Sequence, residues 1–196
     1  MRGAAEALGI ALPLARAKRL LSYMRLLEAR GIDLGLVSRR DAGRLLERHI
    51  LDCLRAAVVV GRARTAYDLG SGGGLPGLVV AIAVPQLTIG LVEVRRQRVA
   101  FLELAIDELA IRNAKVVPTR VEALSERVAL CFARAFAPLP EAWAAAVPLL
   151  DRGGRFVYFA GATVAASELP AGARLVDVRT TSLLESSGPL VIMAQQ

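Results

Sequence analysis

The chain has 196 residues, which suits one domain or one domain with an appended segment. Apolar residues make up 55% of the sequence, so a mainly disordered chain is excluded. Basic residues outnumber acidic ones by 25 to 18, and the net charge of +7 indicates an anionic partner. Cys53 and Cys131 form no CxxC pair and there is a single histidine, so we expect a reducing cytoplasmic location and no metal site.

One stretch raises the question of a membrane span. Residues 69–92 carry no charge and are long enough to cross a bilayer. Glycines and prolines interrupt this stretch, however, and fit a strand, a turn, a helix and a second strand better. The N-terminus lacks the basic segment and the unbroken apolar run of a secretion signal. We therefore expect a protein that does not contact a membrane.

The basic excess is confined to the first third of the sequence. Residues 1–64 carry 13 basic and 6 acidic side chains, whereas residues 65–196 carry 12 of each. The pattern of apolar residues also changes near residue 64, from helical to alternating. We therefore predict two domains, a basic helical N-terminal extension over residues 1–64 and a core over residues 65–196.

Two helices are predicted in the extension. Apolar residues recur at helical spacing from Leu14 to Arg30, and a second helical pattern begins after Ser38 or Asp41 and ends near Val59. This second pattern leaves a group of arginines mostly on its polar side, namely Arg39, Arg40, Arg44, Arg48 and Arg55. Such a face either contacts phosphate or is simply solvated, and the charge pattern alone favours neither interpretation.

Short β-rich runs alternate with helical patterns from residue 65 onward. Strands are predicted at residues 66–69, 88–92, 115–118, 128–134, 155–160, 175–180 and 190–194. Helices are predicted at residues 75–84, 95–110 and 139–150, with a short turn over 121–126. This alternation predicts an α/β fold with a mostly parallel, seven-stranded sheet and helices on both faces. The link before the last strand lacks a strong helical pattern, which favours an antiparallel last strand.

A glycine-rich loop lies between the first predicted strand of the core and the helix that follows it. Residues 68–77 read DLGSGGGLPG. Glycines allow the backbone to turn sharply and to approach a ligand where a Cβ atom would clash. Glu93 ends the next predicted strand, where a carboxylate can accept hydrogen bonds from ribose hydroxyls. The pattern predicts a nucleotide-type cofactor site at the carboxyl ends of two neighbouring strands.

The glycine pattern of this loop distinguishes between two classes of cofactor site. The GxGxxG fingerprint of dinucleotide-binding folds fails when it starts at Gly70, because its third glycine falls on Leu75. A start at Gly72 satisfies the fingerprint but leaves Asp68 without a role. The alternative pattern DxGxGxG resembles the first motif of class I S-adenosylmethionine-dependent methyltransferases, and its members here are Asp68, Gly70, Gly72 and Gly74. We therefore favour a methyltransferase over an NAD-dependent oxidoreductase.

Further short motifs occur in a fixed order along the chain. They are RHILD at 48–52, GSGGGLPG at 70–77, RVAFL at 98–102, EL at 108–109, RVE at 120–122 and RAFA at 134–137. Together they resemble the RsmG (GidB) family of bacterial 16S rRNA guanine-N7 methyltransferases. The resemblance implies a Rossmann-like class I methyltransferase fold, S-adenosylmethionine as cofactor, and 16S rRNA or the small ribosomal subunit as partner. It implies no protein partner, and we expect a monomer.

The resemblance also assigns roles to individual positions. It implies cofactor contacts at Gly70, Leu75, Val121, Glu122 and Arg134, to which the loop pattern adds Asp68, Gly72, Gly74 and Glu93. Arg120 and Arg134 are implied to be catalytic, with Arg134 on the cofactor carboxylate and Arg120 on the guanine or a phosphate. Guanine N7 has a free lone pair and no proton to lose, so no general base is needed and orientation provides the catalysis. The RNA contacts are expected at Arg39, Arg40 and Arg44.

Some positions depart from the family pattern. Gln97 stands where the family has a lysine, and Ala160 stands in place of another. Gly31 and Gly35 replace asparagines of the N-terminal region. These departures leave open a second hypothesis, an S-adenosylmethionine-binding paralogue with a different substrate or without activity. His49 is expected to pack against the sheet rather than to transfer protons.

Overall fold

The computed structural model describes the backbone of residues 1–185 and 187–196 and, apart from Ala42 and Ala166, their side chains. The α-helices are α1 (Arg2–Ala7), α2 (Leu14–Leu26), α3 (Asp52–Leu54), α4 (Gly77–Ala83), α5 (Arg96–Glu108) and α6 (Leu139–Ala146). Turns of 3₁₀ or π helix are Leu27–Gly31, Arg39–Arg44, Leu46–Leu51, Arg55–Val59, Val121–Ala123, Val147–Leu149 and Ala166–Glu168. The strands are β1 (Thr65–Leu69), β2 (Thr88–Val92), β3 (Ala114–Val117), β4 (Val128–Arg134), β5 (Leu150–Phe159), β6 (Ala173–Arg179) and β7 (Leu190–Gln195).

These strands form one seven-stranded sheet with the order β3-β2-β1-β4-β5-β7-β6. The pairs among β1 to β5 are parallel, whereas β7 runs antiparallel to both β5 and β6. The predicted α/β class, the mostly parallel sheet and the antiparallel last strand are therefore confirmed. The chain leaves β1 toward β2 on one side and returns to β4 on the other. This reversal of strand order opens a crevice at the carboxyl ends of the strands, where ligands bind in such sheets.

Burial on both faces explains why the central strands are readable in the sequence. Every residue of β1 and of β2 is buried except the first, Thr65 and Thr88 respectively. Such strands need apolar side chains on both faces and therefore appear as continuous apolar runs. β6 lies at the edge of the sheet and exposes most of its side chains.

The elements differ from the predicted ones mainly at their ends. β5 begins at Leu150, ahead of the predicted start at residue 155, because Leu150 pairs with Val128 before a register shift. This part of the strand contains Gly153, whose φ is +79°. Its sequence therefore looks like that of a turn rather than a strand. α1 has no counterpart among the predicted elements, because six residues rich in alanine show no apolar periodicity. No helix in the described residues has both the length and the apolar character to cross a membrane.

The N-terminal helices pack on one face of the sheet. α2 and α3 contact α4, and their buried side chains join those of α4 and α5 in one apolar cluster. α6 belongs to a second cluster on the opposite face. Tyr23 of α2 is fully buried, and its hydroxyl donates a 2.6 Å hydrogen bond to the carbonyl oxygen of Gly73. α2 therefore contacts the glycine loop directly, and the division into two domains near residue 64 stays a prediction.

The second predicted helix is continuous but irregular, and one of its arginines is misplaced by the sequence pattern. Residues 39–59 pass through 3₁₀, π and α turns without a break. Arg55 is buried rather than on a polar face, and the prediction for it is wrong. Its guanidinium donates to Asp52 Oδ1 at 2.5 Å and to the carbonyl oxygen of Gly188 at 2.9 Å. The chain around Gly188 covers this side, which the helical pattern cannot reveal.

Candidate cofactor and substrate site

Asp68 ties the two ends of the glycine loop together. It is the fourth residue of β1 and only 1% exposed. Its Oδ2 atom accepts hydrogen bonds from the Ser71 hydroxyl at 2.5 Å and from the Gly77 backbone N–H at 2.9 Å. Burial raises the pKa of Asp68 to about 6, against the lowering effect of these two hydrogen bonds. The buried carboxylate thus connects the start of the loop to its end from the side of the protein interior.

Two glycines of the loop are required by close contacts. A Cβ atom on Gly77 would lie 2.6 Å from Asp68 Oδ2 and would collide with Leu91. Gly70 has φ +65°, and a Cβ atom there would lie 2.5 Å from Phe136 Cδ2. Both distances are shorter than any ordinary carbon contact, and the conformation of Gly70 suits few residues other than glycine. The loop therefore depends on glycine for its own packing as well as for access.

Glu93 links this loop to the end of β2. Its Oε1 atom accepts hydrogen bonds from the backbone N–H groups of Val94 and Arg95, at 2.8 and 2.9 Å. Its Oε2 atom accepts one from the N–H of Gly72 at 3.1 Å and lies 3.7 Å from Arg98 Nη1. A carboxylate has about four acceptor positions, so one remains for a ligand hydroxyl.

The predicted site residues fall into two groups in the structure. A cavity of about 170 Å³ at the carboxyl edge of the sheet gathers Gly70, Glu93, Arg120, Val121 and Glu122. The remaining predicted cofactor residues, Asp68, Gly72, Gly74, Leu75 and Arg134, do not line this cavity. Asp68 and Leu75 are buried, and Gly72 and Gly74 have positive φ within the loop. Contact of this second group with a cofactor stays a prediction.

Sequence reasoning missed four lining residues of this cavity, which are Val92, Val94, Thr119 and Phe136. Val94 is 54% exposed, which is unusual for a valine and leaves an apolar surface beside Glu93. Phe136 is brought against Gly70 after Ala135, whose φ of +52° turns the chain at the end of β4. Phe136 belongs to the RAFA motif, so that motif was the available signal. Val94 follows a strand and carries no signal of its own.

Arg134 ends β4 and is held by the N-terminal part of the chain. Its Nε atom lies 3.3 Å from Asp52 Oδ2, and Nη2 donates to the carbonyl oxygen of Arg48 at 3.0 Å. The same Nη2 is 3.3 Å from Nδ1 of His49. Among the described residues, the remaining nitrogen Nη1 has no protein partner. The guanidinium is thus fixed on one edge and available on the other.

His49 is buried between a cation and an anion. Because Nδ1 faces the Arg134 donor, the ring proton belongs on Nε2, which lies 3.3 Å from Asp41 Oδ2. Burial lowers the pKa of His49, and the charge of Arg134 lowers it further, while Asp41 acts in the opposite direction. The neutral imidazole therefore connects the two side chains.

The predicted RNA-contact arginines lie on one exposed turn. Arg39, Arg40 and Arg44 belong to the 3₁₀ turn Arg39–Arg44, which Ser38 caps by accepting from the N–H of Arg40 at 3.2 Å. Arg44 lies 3.9 Å from Glu47. Asp41 in the same turn contacts His49, so the turn is connected through that ring to Arg134. Within the described residues, no three His, Cys, Asp or Glu side chains are grouped as metal ligands would be.

Comparison with known proteins gives a consistent result. Residues 16–185 match the family model GidB, described as rRNA small subunit methyltransferase G. Proteins named ribosomal RNA small subunit methyltransferase G are similar to this chain. That of Kineococcus radiotolerans is 37% identical over 180 residues, which cover 89% of this chain and 70% of the relative. That of Acidiphilium cryptum is 48% identical over 132 residues, covering 65% of this chain and 60% of the relative. The chain thus spans about two thirds of the length of these relatives.

Solved structures support the fold. MtNAS in complex with MTA and tNA superposes with a TM-score of 0.65 at 17% identity, covering 95% of this chain and 76% of that one. The ribosomal protein L11 methylase of Lactobacillus delbrueckii subsp. bulgaricus gives a TM-score of 0.57 at 10% identity, covering 76% and 79%. At these identities the likeness concerns the architecture of the sheet and its helices.

Proposed function

Because the chain belongs to the GidB family of rRNA small subunit methyltransferases G, we propose that it transfers a methyl group from S-adenosylmethionine to N7 of a guanine in 16S ribosomal RNA. One observation carries the proposal. The cavity at the carboxyl edge of the sheet brings together the glycine loop, the carboxylate of Glu93 and the segment Arg120–Glu122. The protein would act as a monomer in the bacterial cytoplasm. Its partner would be naked 16S rRNA or the assembled small subunit.

The residues of this cavity fit a nucleoside cofactor. Glu93 keeps an acceptor position for a ribose hydroxyl, and the exposed apolar side chain of Val94 offers a surface for a base. Gly70 lines the cavity without a Cβ atom, which allows the Phe136 ring to pack against the loop there. When bound, S-adenosylmethionine supplies an electrophilic methyl group on a sulfonium. The cavity of about 170 Å³ is smaller than typical ligand pockets of roughly 300 Å³ or more, so it encloses only part of such a molecule.

Two arginines would complete the binding of cofactor and substrate. Arg134 Nη1 would donate to a cofactor carboxylate, since Asp52, Arg48 and His49 hold the rest of its guanidinium. Arg120 lines the cavity, and its exposed side chain would hold the guanine O6 atom or an adjacent phosphate.

Catalysis would then depend on orientation. Guanine N7 needs no general base, and the described lining of the cavity offers no histidine or cysteine for one. A guanine held by Arg120 beside the cofactor reacts faster because the two reactants no longer have to meet in solution. The RNA on either side would contact Arg39, Arg40 and Arg44 through its phosphates.

A binding titration followed by a transfer assay tests this proposal. The purified protein is titrated with S-adenosylmethionine and with NAD, and is then given small subunits or naked 16S rRNA that lack the modification. We expect binding of the methyl donor, no binding of NAD, and N7-methylguanine detected in the RNA by mass spectrometry. Binding of the donor without transfer to either substrate would favour the inactive or differently specific paralogue. Binding of NAD alone would refute both.

A further inference from the structure

A groove lies between residues 30–35 and the first half of α5. It consists of two adjoining cavities of about 450 and 260 Å³, both of which are lined by Leu34 and Gln97. We call it the arginine groove, because its other polar side chains are Arg30, Arg95, Arg96 and Arg98. Its apolar wall comes from the side of α5. The groove therefore combines a long concave shape with a ring of cations.

Three of the four arginines of this groove have no acidic partner among the described residues. Among the described residues, no acidic side chain lines either cavity, whereas the cavity beside the glycine loop contains Glu93 and Glu122. Arg98 lies 3.7 Å from Glu93. Within the described part of the chain, the guanidinium groups of Arg30, Arg95 and Arg96 have neither an ion pair nor a hydrogen bond. Like charges gathered around one concave surface create a positive potential that attracts an anion.

The groove leads to the proposed catalytic site. A Cβ atom on Gly72 would lie 3.8 Å from Arg98 Nη1, so the inner end of the groove adjoins the glycine loop. A Cβ atom on Gly73 of the same loop would lie 3.3 Å from Cβ of Leu36, which follows the groove segment. A ligand extended along the groove therefore reaches the edge of the cofactor cavity.

We propose that the arginine groove binds the phosphate backbone of the RNA strand next to the methylated guanine, an inference that rests on the proposed function. Basic grooves that follow a nucleic-acid backbone are typical of proteins that bind single strands. The two cavities adjoin along the groove, so a single strand laid lengthwise crosses both of them. Arg30, Arg95 and Arg96 contact phosphates, and Leu34 packs against a sugar or base. Phe101 is 2% exposed and does not stack on a base.

This surface is not apparent from the charge of the sequence. Residues 65–196 are neutral in total, so the basic excess of residues 1–64 suggests an RNA surface made only by the extension. The structure instead places Arg95 and Arg96 of the neutral part beside Arg30 of the basic part. The groove thus requires both parts of the chain.

The test compares two triple variants with the same change of net charge. The groove variant carries Arg30→Gln, Arg95→Gln and Arg96→Gln, and the control carries Arg127→Gln, Arg152→Gln and Arg174→Gln. The control arginines are exposed near the amino ends of the strands, at the opposite edge of the sheet. Affinity for a 16S rRNA fragment is measured by fluorescence anisotropy at several salt concentrations, with donor affinity and the kinetics of methyl transfer measured in parallel.

We expect the groove variant to bind RNA roughly tenfold more weakly and the slope of log affinity against log salt to fall by about 2, for three lost phosphate contacts. KM for RNA should rise more than kcat falls, while donor affinity and the control variant stay like the wild type. Equal RNA affinity and salt slope in the two variants would overturn the inference. Absence of methyl transfer by the wild type would instead refute the proposed function.

Discussion

Asp68 is the residue whose chemistry depends most on its burial. Desolvation raises its pKa from 3.8 to about 6, even though the hydrogen bonds from Ser71 and Gly77 favour the charged form. In the unfolded chain the carboxyl ionises near pH 4, so between about pH 4 and 6 the folded protein still holds a proton that the unfolded chain has released. The stability that this group contributes is therefore present below pH 4 and lost as the pH rises through 6. The size of the loss is up to about 3 kcal/mol.

The substitution Asp68→Asn removes this titration and keeps an acceptor for the loop. We expect the unfolding free energy of the variant, relative to the wild type, to improve as the pH rises from 4 to 7, because only the wild type must bury a new charge. Urea denaturation at a series of pH values measures the difference. Asp107→Asn, at an exposed position of α5, is the control for the loss of a carboxylate. Parallel curves for wild type and Asp68→Asn would show that Asp68 does not titrate in this range.

At the scale of elements, Asp52 joins α3 to β4. Its two carboxylate oxygens are divided between Arg55, at 2.5 Å, and Arg134, at 3.3 Å. Asp52 is 7% exposed, so removing its charge leaves two cations without their common partner in a poorly solvated place. The helical segment thereby holds the guanidinium of Arg134 at the end of β4.

The substitution Asp52→Asn is expected to lower the unfolding free energy by about 3 kcal/mol. It should also weaken S-adenosylmethionine binding, because the edge of Arg134 that faces the protein is no longer fixed. The matched control is Asp177→Asn, which breaks an exposed pair with Arg179 at 2.8 Å and should cost less than about 1 kcal/mol. Denaturation and isothermal titration calorimetry measure the two effects. If Asp52→Asn lowered the unfolding free energy and the donor affinity no more than the control does, the orientation of Arg134 would not depend on its pair with Asp52.

The same elements show what a sequence can predict. β1 and β2 are buried on both faces and the loop between them is rich in glycine. The local sequence pattern was therefore sufficient to predict the positions of the two strands, of the loop and of Glu93 at the end of β2. The contact between Arg134 and Asp52 joins positions 82 residues apart, and the burial of Arg55 depends on Gly188, 133 residues away. Helical periodicity records only which face of a helix is apolar. Pairings of this kind arise from the packing of elements on one another and leave no local trace.

At the scale of the whole molecule, only some of the basic side chains of residues 1–64 are accessible to a binding partner. Arg55 is buried and Arg48 lies 3.3 Å from Asp41, so these two arginines of the extension are engaged within the protein. Arg39 and Arg40 stand exposed on the turn that also holds Arg44. Asp41 connects this turn through His49 to Arg134. RNA bound at the turn would therefore lie close to the side chains that hold Arg134.

Reversing the charge of this turn tests whether it meets RNA. We expect Arg39→Glu, Arg40→Glu and Arg44→Glu together to lower the affinity for 16S rRNA and to reduce its salt dependence, because phosphate contacts and the counterions that they release are lost. Affinity for S-adenosylmethionine should not change. The control carries Arg2→Glu, Arg19→Glu and Arg25→Glu, which reverse three exposed charges of α1 and α2. An equal loss in both variants would mean that total charge, rather than this turn, attracts the RNA. Unchanged RNA binding in the first variant would mean that the turn is only a solvated surface.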